Sequence, residues 1–460
     1  MRTAVAASTG KAIAFLSRRL NLGGGTTFPG YVAQQLDPHL LGTITARLEQ
    51  GCVVVTGTNG KTTTARILSN IVRVEGMEPV HNRSGANLVD GVSSALLQAS
   101  DWRGVPRGDI GLFEVDEASL PRVVAEVQPR VIVVTNLFRD QLDRYGEIDY
   151  VARLWRQALA TLPSSSTVIL NADDPLVASL GAGTPARVRY YGIEHAPYSA
   201  AELPHTADSR FCLACGSPYQ YEAVYYGHLG RYTCPRCGAV RPQPGIYAER
   251  VQLQGTQGSD VGLVFPDGRL GLHVRLPGLY NVYNALAALS AGWTLGLSMP
   301  VLKQGVESAA AAFGRIERVP IDGKQAFLAL VKNPVGFNQV LSTLFLDNTP
   351  KDLAILINDH FADGTDISWL WDVDFELLQG RVRSAVVAGT RAEDMQLRLK
   401  YAGVDMGQVS LRKDPREALA EGLRRVGPGE TLYVLPTYTA MLEVRQAMAE
   451  MGHVGRFWED

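Results

Sequence analysis

The sequence predicts an α/β fold with parallel sheets, and three observations support this prediction. From Gly51 onward, short apolar runs rich in Val and Ile alternate with segments whose apolar residues recur at helical spacing. A second series of this kind begins after Phe313-Gly314, which predicts a separate α/β domain. Such alternation is typical of parallel sheets covered by helices. Residues 196–250 instead contain Tyr, Gly, Pro and two cysteine pairs with little helical periodicity, which indicates an insertion.

The predicted strands follow one another in chain order. In the first series the apolar runs are Cys52-Val-Val-Val-Thr, Gly111-Leu-Phe-Glu-Val, Val131-Ile-Val-Val-Thr and Val168-Ile-Leu-Asn. In the second series they are Ala326 to Val331, Leu353 to Ile357, Ala385-Val-Val-Ala and Thr431-Leu-Tyr-Val-Leu. A helix is predicted after the first strand because Thr64, Leu68, Ile71 and Val72 share one helical face.

The composition excludes several classes of protein. Among 460 residues, 46% are hydrophobic, 20% are charged and only 5 are Cys, which excludes disordered, collagen-like and disulfide-scaffold chains. The 44 basic and 46 acidic side chains give a net charge of -2, so we expect no nucleic acid partner. The longest apolar runs are too short to span a bilayer. Residues 1–20 predict a helix without the pattern of a signal peptide, so we expect a cytoplasmic protein.

A phosphate-binding loop is predicted at Thr56-Gly-Thr-Asn-Gly-Lys-Thr-Thr63, between the first strand and its helix. Glycines let backbone N–H groups turn toward phosphates, and a helix N-terminus adds partial positive charge. Lys61 is predicted to reach the terminal phosphates, and the Thr62 hydroxyl to ligate Mg²⁺. Val55 stands where the longer motif has its first glycine, so the loop is a shortened variant. The residues expected to bind the nucleotide are Gly57, Thr58, Asn59, Gly60, Lys61, Thr62 and Thr63.

A second magnesium ligand is expected on a neighbouring strand, because phosphate-binding loops work with a metal-bound carboxylate. The sequence Phe113-Glu-Val-Asp-Glu117 ends an apolar run at a plausible distance. We predict that Glu114 is this ligand and that it has a catalytic role together with Lys61. The alternative is that Glu114 is a solvated acid at the end of a strand.

Two cysteine pairs predict a metal site in the insertion. Cys212-Leu-Ala-Cys215 and Cys234-Pro-Arg-Cys237 are separated by 18 residues, and each pair is followed by Gly. Four thiolates at this spacing suit a tetrahedral zinc ion that stabilises the fold. His228 lies between the pairs, but four Cys leave no open position for catalysis at the metal. Cys52 is expected to be a buried free thiol, which together with the pairs indicates a reducing compartment.

Several motifs together resemble the Mur ligase family, the ATP-dependent amide-forming enzymes of peptidoglycan precursor synthesis. The loop Gly57-Thr-Asn-Gly-Lys-Thr-Thr63 is similar to the ATP-binding loop of that family. Six further segments resemble family motifs in the same order, namely Asn82-Arg-Ser-Gly-Ala-Asn87, Thr135-Asn-Leu-Phe-Arg-Asp-Gln-Leu-Asp143, Asn171-Ala-Asp-Asp-Pro175, Pro277-Gly-Leu-Tyr-Asn-Val-Tyr-Asn-Ala285, Gly314-Arg-Ile-Glu317 and Lys332-Asn-Pro334. The resemblance covers residues 50–345.

The resemblance implies a domain organisation. Residues 1–45 would form a short N-terminal segment, and residues 46–312 a Mur ligase central P-loop ATPase domain. This domain would carry the four-cysteine zinc ribbon as an insertion at about residues 205–242. Residues 313–460 would form a Rossmann-like C-terminal α/β domain that docks a glutaminase.

The family analogy also implies further residues around ATP. Asn281 and Asn284 would face the nucleotide, Asn171 and Asp174 would lie on the hinge side of the same site, and Arg315 belongs to the same expected set. Helix capping is the alternative for the asparagines and Asp174.

Two departures from the typical family pattern narrow the expected substrate. The segment before the loop is too short for the domain that binds the nucleotide sugar, so a lipid-linked muropeptide fits better than a substrate held through UDP. Gln141 stands where the typical ligases have a His that helps to hold magnesium. We therefore expect Thr62 and Glu114, but not Gln141, to be magnesium ligands.

The short N-terminus, the zinc ribbon and the stretch Asn358-Asp-His-Phe-Ala-Asp-Gly-Thr-Asp-Ile-Ser-Trp-Leu-Trp-Asp372 resemble one branch of the family. This branch amidates the α-carboxyl of D-glutamate in the lipid II stem peptide through an acyl phosphate. Ammonia comes from a separate glutaminase subunit of a heterodimer. The resemblance implies action at the inner face of the membrane, with membrane contact only through the lipid-linked substrate. The resemblance implies that an Asp of the synthetase completes the Cys-His pair of the glutaminase, and the candidates are Asp359, Asp363 and Asp366. For each Asp, the alternative is capping a helix that starts near Ser368.

Two other functions remain open at this point. An ammonia-independent ligase of the folylpolyglutamate type would add an amino acid to a soluble substrate. A nucleotide-gated scaffold would turn ATP over slowly, without response to an acceptor.

Overall fold

The chain divides into two units, here called unit 1 and unit 2. The computed structural model describes residues 2–19, 27–82, 86–139, 148–195, 199, 203–204, 207–309, 316–347 and 349–455. Unit 1 comprises Met1–Gln254, Gly258–Arg275 and Leu279–Ala309, and unit 2 comprises Gly255–Gln257, Leu276–Gly278 and Ala310–Asp460. Within the described ranges, no helix combines the length and the apolar character needed to cross a bilayer. The predicted residues Gln141 and Arg315 lie outside the described residues.

Unit 1 is built on a twisted sheet and one separate hairpin. Its strands are β1 Cys52–Thr56, β2 Pro79–His81, β3 Ile110–Glu114, β4 Val131–Val134, β5 Thr167–Asn171, β6 Arg187–Ile193, β7 Gln220–Tyr226, β8 Leu229–Thr233, β9 Ile246–Leu253, β10 Ser259–Phe265 and β11 Gly268–Val274. Counting the described strands, the large sheet has nine, in the order β11-β10-β9-β6-β5-β4-β1-β3-β2. Strands β7 and β8 form the antiparallel hairpin of the cysteine-rich insertion.

The helices of unit 1 cover this sheet. They are α1 Arg2–Arg19, α2 Phe28–Leu36, α3 Leu40–Thr45, α4 Lys61–Val74, α5 Val89–Gln98, α6 Leu120–Val127, α7 Ile148–Ala160, α8 Pro175–Ser179, α9 Leu279–Thr294 and α10 Met299–Glu307. Residues of α1 to α3, among them Ala6, Ala33 and Leu41, belong to the same buried cluster as Val54 and Phe113. The N-terminal segment is therefore part of the core of unit 1.

The parallel register at the centre of the sheet places three strand ends side by side. Val55 of β1 pairs with Glu114 of β3, and Thr56 pairs with Val134 of β4. All five residues of β1 and of β3 are buried, as expected for strands covered on both faces. The loops after β1, β3 and β4 thus begin at one edge of the sheet, where α/β proteins form their ligand sites.

Strands β9 to β11, which form the antiparallel edge of this sheet, were not among the strands that we predicted. Strand β10 alternates strictly between buried and partly buried residues, the pattern of a strand with one covered face. In the sequence, Asp260-Val-Gly-Leu263 alternates between apolar residues and polar or small ones, which is the spacing typical of such a strand.

Unit 2 has a second sheet covered by helices on both faces. Its elements are β12 Ile316–Ile321, β13 Lys324–Ala329, α11 Pro334–Leu344, β14 Lys351–Leu356, β15 Val382–Ala388, α12 Ala392–Tyr401, β16 Val409–Leu411, α13 Pro415–Arg425, β17 Thr431–Pro436 and α14 Tyr438–Glu450. Counting the described strands, the sheet has six, in the order β12-β13-β17-β14-β15-β16, and only β12 pairs antiparallel. Alternate residues of β14 enter two separate cores, which confirms the predicted α/β fold.

Candidate active site

The predicted phosphate-binding loop connects β1 to α4 at the carboxyl edge of the sheet. Gly57 and Gly60 have φ values of 134° and 86°, a backbone region that side chains disfavour. A Cβ at Gly57 would overlap the Thr135 hydroxyl, and a Cβ at Gly60 would overlap Oδ1 of Asn284. Both positions therefore require glycine for conformation and for space.

The loop after β4 holds the phosphate-binding loop in place. The backbone N–H of Thr58 donates to the Asn136 carbonyl at 2.9 Å, and that of Asn59 donates to Oδ1 of Asn136 at 2.8 Å. The Thr58 hydroxyl donates to the Phe138 carbonyl and accepts from the Phe138 N–H, at 3.1 and 3.0 Å. The sequence pattern identified Thr135-Asn136 only as part of a motif, and these bonds give Asn136 and Phe138 a supporting role.

The Lys61 ammonium is buried among acceptors. It donates to the carbonyls of Gly57 and Thr58, the latter at 3.3 Å, and to both carboxylate oxygens of Glu117 at 3.1 Å. Both side chains of the ion pair are buried. Glu117 lies in the predicted acidic segment after β3, but no sequence pattern pairs it with Lys61.

Glu114 and Thr62 lie together, as the predicted magnesium site requires. The Thr62 hydroxyl donates to Oε2 of Glu114 at 2.7 Å, and both residues are buried. Asn82 fixes the strand end, since it accepts from the Glu114 N–H at 2.9 Å and donates to the Glu114 carbonyl at 2.8 Å. A hydroxyl and a carboxylate are the oxygen ligands that Mg²⁺ takes, so the donor set fits this ion. Glu114 is not the solvated acid of the alternative interpretation.

Next to this pair, His81 lies at the end of β2. Burial lowers the pKa of its imidazole, and the negative charge of Glu114 opposes that shift only in part. His81 is therefore neutral at neutral pH. No motif in the sequence indicated this residue.

Asn284 of α9 packs against the loop from the other side. Its Nδ2 donates to Oδ1 of Asn281 at 3.0 Å, and its carbonyl accepts from the Thr64 hydroxyl at 3.5 Å. Since Oδ1 of Asn284 lies beside Gly60, α9 helps to shape the loop. The predicted contact of Asn281 and Asn284 with the nucleotide stays a prediction.

Asn171 and Asp174 are fully buried and bind backbone groups. Asn171 donates to the Thr135 carbonyl at 3.1 Å. Asp174 accepts from the N–H groups of Leu176 and Val177, which caps α8, and from the Leu137 N–H at 2.8 Å. These contacts support the end of β4, and helix capping was the alternative that we gave for Asp174.

The four paired cysteines converge in the insertion. Their Sγ atoms all lie within 4.8 Å of one another, and Cys212–Cys237 and Cys215–Cys234 are separated by 3.5 Å. Four thiolates bound to one zinc ion lie roughly 3.8 Å apart. Each pair forms the same turn, in which the following Gly donates to the carbonyl of the first Cys and has φ of 73° or 74°. The cluster is a candidate metal site.

The thiols of this cluster differ in acidity. Burial opposes the ionisation of Cys212, but hydrogen bonds from the backbone N–H groups of Ala214 and Cys215 outweigh it and lower its pKa to about 6. A hydrogen bond from the Ser217 N–H lowers the pKa of Cys215 as well. The Ala239 N–H also favours the thiolate of Cys237, but hydrogen bonds with Cys212 and Cys234 outweigh it and raise the pKa of Cys237 to about 12. A thiolate is the form that binds a metal, so the turns favour binding.

The hairpin of the insertion contacts the loop that supports the phosphate site. The ring of His228 lies 4.6 Å from that of Phe138, and Nε2 of His228 lies 3.3 Å from Oδ1 of Asp174. At the tip, Gly227 approaches Phe138 so closely that a Cβ would lie 2.7 Å from its ring. His228 is thus fully buried in unit 1 and is not part of the four-cysteine cluster.

In unit 2, the structure gives the three candidate aspartates different environments. Asp359 is partly exposed and accepts from the Thr390 hydroxyl at 2.8 Å and from Arg391 at 2.7 Å, which lowers the pKa of its carboxyl. Asp363 is buried and accepts from the backbone and the hydroxyl of Thr439.

The third candidate, Asp366, is exposed and accepts from the Ser368 N–H at 2.8 Å. A hydrogen bond from that N–H lowers the pKa of the Asp366 carboxyl. Asp366 therefore holds the first N–H of the short 3-10 helix Ser368–Asp372, although the N-cap position of this helix is Ile367. The three carboxylates do not form one cluster.

Comparison with known proteins agrees with this geometry. Residues 55–233 match the family described as Mur ligase middle domain, and residues 330–441 match MurT ligase C-terminal. The chain is 34% identical over 454 residues to the lipid II isoglutaminyl synthase (glutamine-hydrolyzing) subunit MurT of Streptococcus pneumoniae, covering 98% of this chain and 97% of the relative. The chain belongs to the MurT family. The subunit of the same name from Staphylococcus aureus is 34% identical, with 91% of each chain covered.

Solved structures show the same fold as this member of the MurT family. A pseudomurein peptide ligase type C from Methanothermus fervidus has a TM-score of 0.69 at 23% identity, covering 89% of this chain and 80% of that chain. MurF from Acinetobacter baumannii has a TM-score of 0.65 at 18% identity, covering 91% and 80%. With the sequence relatives, this fold identifies the chain as a ligase subunit of the Mur type and implies ATP and Mg²⁺ as cofactors.

Proposed function

We propose that this chain is the synthetase subunit that converts the α-carboxyl of D-glutamate in the lipid II stem peptide to D-isoglutamine. The observation that carries the proposal is the 34% identity, over nearly the whole of both chains, to a lipid II isoglutaminyl synthase subunit. The match of residues 330–441 to the MurT C-terminal family supports it.

The reaction has two steps. A carboxylate oxygen of the substrate attacks the γ-phosphorus of ATP, the bond to the β-phosphate oxygen breaks, and an acyl phosphate and ADP result. The nitrogen of ammonia then attacks the carbonyl carbon, phosphate leaves with the electron pair of the C–O bond, and one proton is lost. Transfer of this kind depends on stabilising charge on the moving phosphoryl group.

Lys61 and the helix N-terminus of α4 would supply this stabilisation. The ammonium is buried at the start of α4, where backbone N–H groups and the helix dipole favour phosphate. Since Glu117 already neutralises Lys61, bound phosphate would share or replace this carboxylate. The pair holds the lysine in position before ATP arrives.

Thr62 and Glu114 would hold the magnesium ion. The Thr62 hydroxyl and the Glu114 carboxylate lie 2.7 Å apart and are buried, and Thr62 follows Lys61 directly in the loop. A bound Mg²⁺ would neutralise charge on the ATP phosphates. Asn82 would keep Glu114 oriented through two hydrogen bonds to its backbone.

A glutaminase subunit is the proposed source of ammonia. An acid that orients a histidine of the partner must be rigid and reachable at the surface. Asp359 is fixed by Arg391 and Thr390, and Asp366 by Ser368, and both carboxylates are accessible to solvent. Asp363 is buried against Thr439, so we assign it a supporting role and propose Asp359 or Asp366 as the contributed acid.

The insertion would hold a structural zinc ion. Four cysteines without a further ligand leave no open coordination position, which is typical of zinc sites that stabilise a fold. Cys212, Cys215, Cys234 and Cys237 would be the ligands. Elemental analysis of the purified protein would identify the metal.

The decisive experiment is mass spectrometry of lipid II incubated with this protein, ATP, Mg²⁺ and ammonium. We expect the mass change for replacement of one carboxyl hydroxyl by an amino group, and no change with the Lys61→Ala variant. A parallel reaction with glutamine and a glutaminase subunit tests the donor. Consumption of ATP without a change in lipid II would refute the proposed acceptor.

A further inference from the structure

On the N-terminal helix α1, small side chains face the interior of the protein and several large apolar side chains face solvent. Its inward face consists of small residues, Ala6, Ala7, Gly10 and Ala14, which are all buried. Gly10 packs so tightly that a Cβ there would lie 2.7 Å from Cδ1 of Leu97. Of the large apolar residues of this helix, Val5, Phe15 and Leu16 are on the other side, and Ile13 is partly buried.

The outward face of α1 is apolar and exposed to solvent. Val5, Ala12, Leu16 and Arg19 follow one another at spacings of seven, four and three residues, which places them on one face of the helix. Val5, Phe15 and Leu16 are 56%, 58% and 52% exposed. Several large apolar side chains exposed together on one helix are characteristic of a surface that binds a partner or a membrane.

A neighbouring loop extends this face with a tryptophan and arginines. The carbonyl of Trp102 accepts from the Ser8 hydroxyl at 2.8 Å, and the Trp102 ring lies 5.9 Å from Nζ of Lys11. Trp102 is 57% exposed, and Arg103 and Arg107 beside it are exposed as well. Val5, Phe15, Leu16, Trp102 and Val105 are here called the N-terminal surface.

The charged side chains of α1 itself are all basic. The first 36 residues contain Arg2, Lys11, Arg18 and Arg19 but no Asp or Glu, although the whole chain has a net charge of -2. The acids nearby are engaged within the protein. Asp37 is buried and accepts from the Thr3 hydroxyl, and Asp101 accepts from the N–H groups of Arg103 and Val105.

We infer that the N-terminal surface binds an anionic lipid bilayer at its interface. A helix with exposed Phe and Leu, flanked by arginines and a tryptophan, has the chemistry of segments that lie in the headgroup region. The surplus of positive charge complements anionic lipid and would repel a basic protein surface. The binding of this surface to a bilayer does not depend on the proposed function. Only its use, to bring the enzyme to a lipid-linked acceptor, rests on that function.

Vesicle flotation of the full chain tests this inference. The vesicles contain phosphatidylcholine with or without phosphatidylglycerol, and neither lipid II nor ATP is present, so the outcome is independent of the amidation reaction. We expect the protein to float with the anionic vesicles and to be released at high salt. The Phe15→Ser/Leu16→Ser variant should need about tenfold more lipid for half-maximal binding.

A matched control changes exposed apolar residues on a helix of unit 2. Leu397 and Tyr401 of α12 are 46% and 69% exposed, and Leu397→Ser/Tyr401→Ser should bind vesicles like the unmodified protein. A second variant, Arg19→Gln/Arg103→Gln, should lose about fivefold in affinity per arginine on anionic vesicles only. Melting temperatures verify that the variants are folded.

Three results would overturn the inference. The first is that the unmodified protein fails to float with anionic vesicles, and the second is that the Phe15→Ser/Leu16→Ser variant floats equally well. The third is sedimentation of the unmodified protein as a dimer that this variant dissociates, which would assign the surface to a second copy of the chain.

Discussion

Nζ of Lys61 lies 3.1 Å from both carboxylate oxygens of Glu117, and both side chains are buried. Removing one partner of such a pair leaves the other charge buried without compensation. Lys61→Ala should therefore lower the free energy of unfolding by about 3 kcal/mol as well as abolish catalysis. Urea denaturation measures this loss.

The double variant Lys61→Met/Glu117→Gln is the control for this prediction. It removes both charges, so it should recover most of the lost stability while remaining inactive. If the single and double variants are equally unstable, the ion pair does not account for the loss.

Replacement of Gly60 should disrupt the phosphate-binding loop. Gly60→Ala places a Cβ against Oδ1 of Asn284, in a backbone conformation with φ of 86°. We expect ATP affinity to fall about tenfold or more, measured by equilibrium binding of a nucleotide analogue.

Gly76→Ala is the matched control, since Gly76 has φ of 91° but open space around its Cβ position. It should show a similar backbone penalty of about 1 kcal/mol in stability without a loss of nucleotide affinity. Equal affinity of the two variants would exclude the steric explanation.

The hairpin of the insertion should influence ATP binding through Phe138. In Gly227→Ala, the new methyl group presses on the Phe138 ring, and the backbone of Phe138 holds the Thr58 hydroxyl. We expect nucleotide affinity to decrease about threefold or more. Gly255→Ala has almost the same φ, 57° against 56°, with no neighbour near its Cβ, and should bind as tightly as the unmodified protein.

Thiol reactivity should separate Cys52 from the other cysteines. Burial raises the pKa of the Cys52 thiol to about 12, and a hydrogen bond with the backbone of Gly111 opposes this only in part. Because the thiolate is the reactive form, Cys52 should resist iodoacetamide from about pH 7 to about pH 9 in the folded protein. Reactivity would rise only as the pH approaches the pKa of this thiol or on unfolding.

The paired cysteines should become reactive when a chelator removes their metal. Mass spectrometry of tryptic peptides should then find labels on Cys212, Cys215, Cys234 and Cys237 but not on Cys52. Labelling of all four without a chelator would show that no metal protects them.

An aspartate scan should separate the two nitrogen donors. The two variants are Asp359→Asn and Asp366→Asn, and one of them should remove the acid contributed to the glutaminase. That variant should reduce glutamine-dependent amidation by about a hundredfold or more and leave ammonia-dependent amidation unchanged. Asp347→Asn changes an exposed acid that pairs with Lys351, and it should affect neither activity. Equal loss of both activities in both variants would contradict the proposed role.

The phosphate-binding loop was predicted from sequence because its conformation has local causes. Gly57 and Gly60 provide the backbone turns, and Lys61 begins the amphipathic helix α4. Glu114 was predicted because a strand end next to such a loop is a known position for a metal ligand, and the structure places it against Thr62. The cysteine cluster likewise follows from spacing within two short turns.

The partners of these residues depend on contacts between distant segments, which sequence patterns do not encode. Glu117 could equally have been a surface acid, and only the sheet register directs it toward Lys61. The burial of Asp363 depends on Thr439, which lies 76 residues later. Contact of the nucleotide with Asn281, Asn284 or Arg315 and the domain boundaries at 45 and 312 stay predictions.

The contacts that hold the phosphate-binding loop from distant segments also affect when this loop can form during synthesis. Thr58 is held by Phe138, 80 residues later, and Thr64 contacts Asn284, 220 residues later. Contacts over such separations form late, because each requires closure of a long loop of chain. A chain still emerging from the ribosome thus lacks the contacts that α9 makes with this loop until α9 has been made.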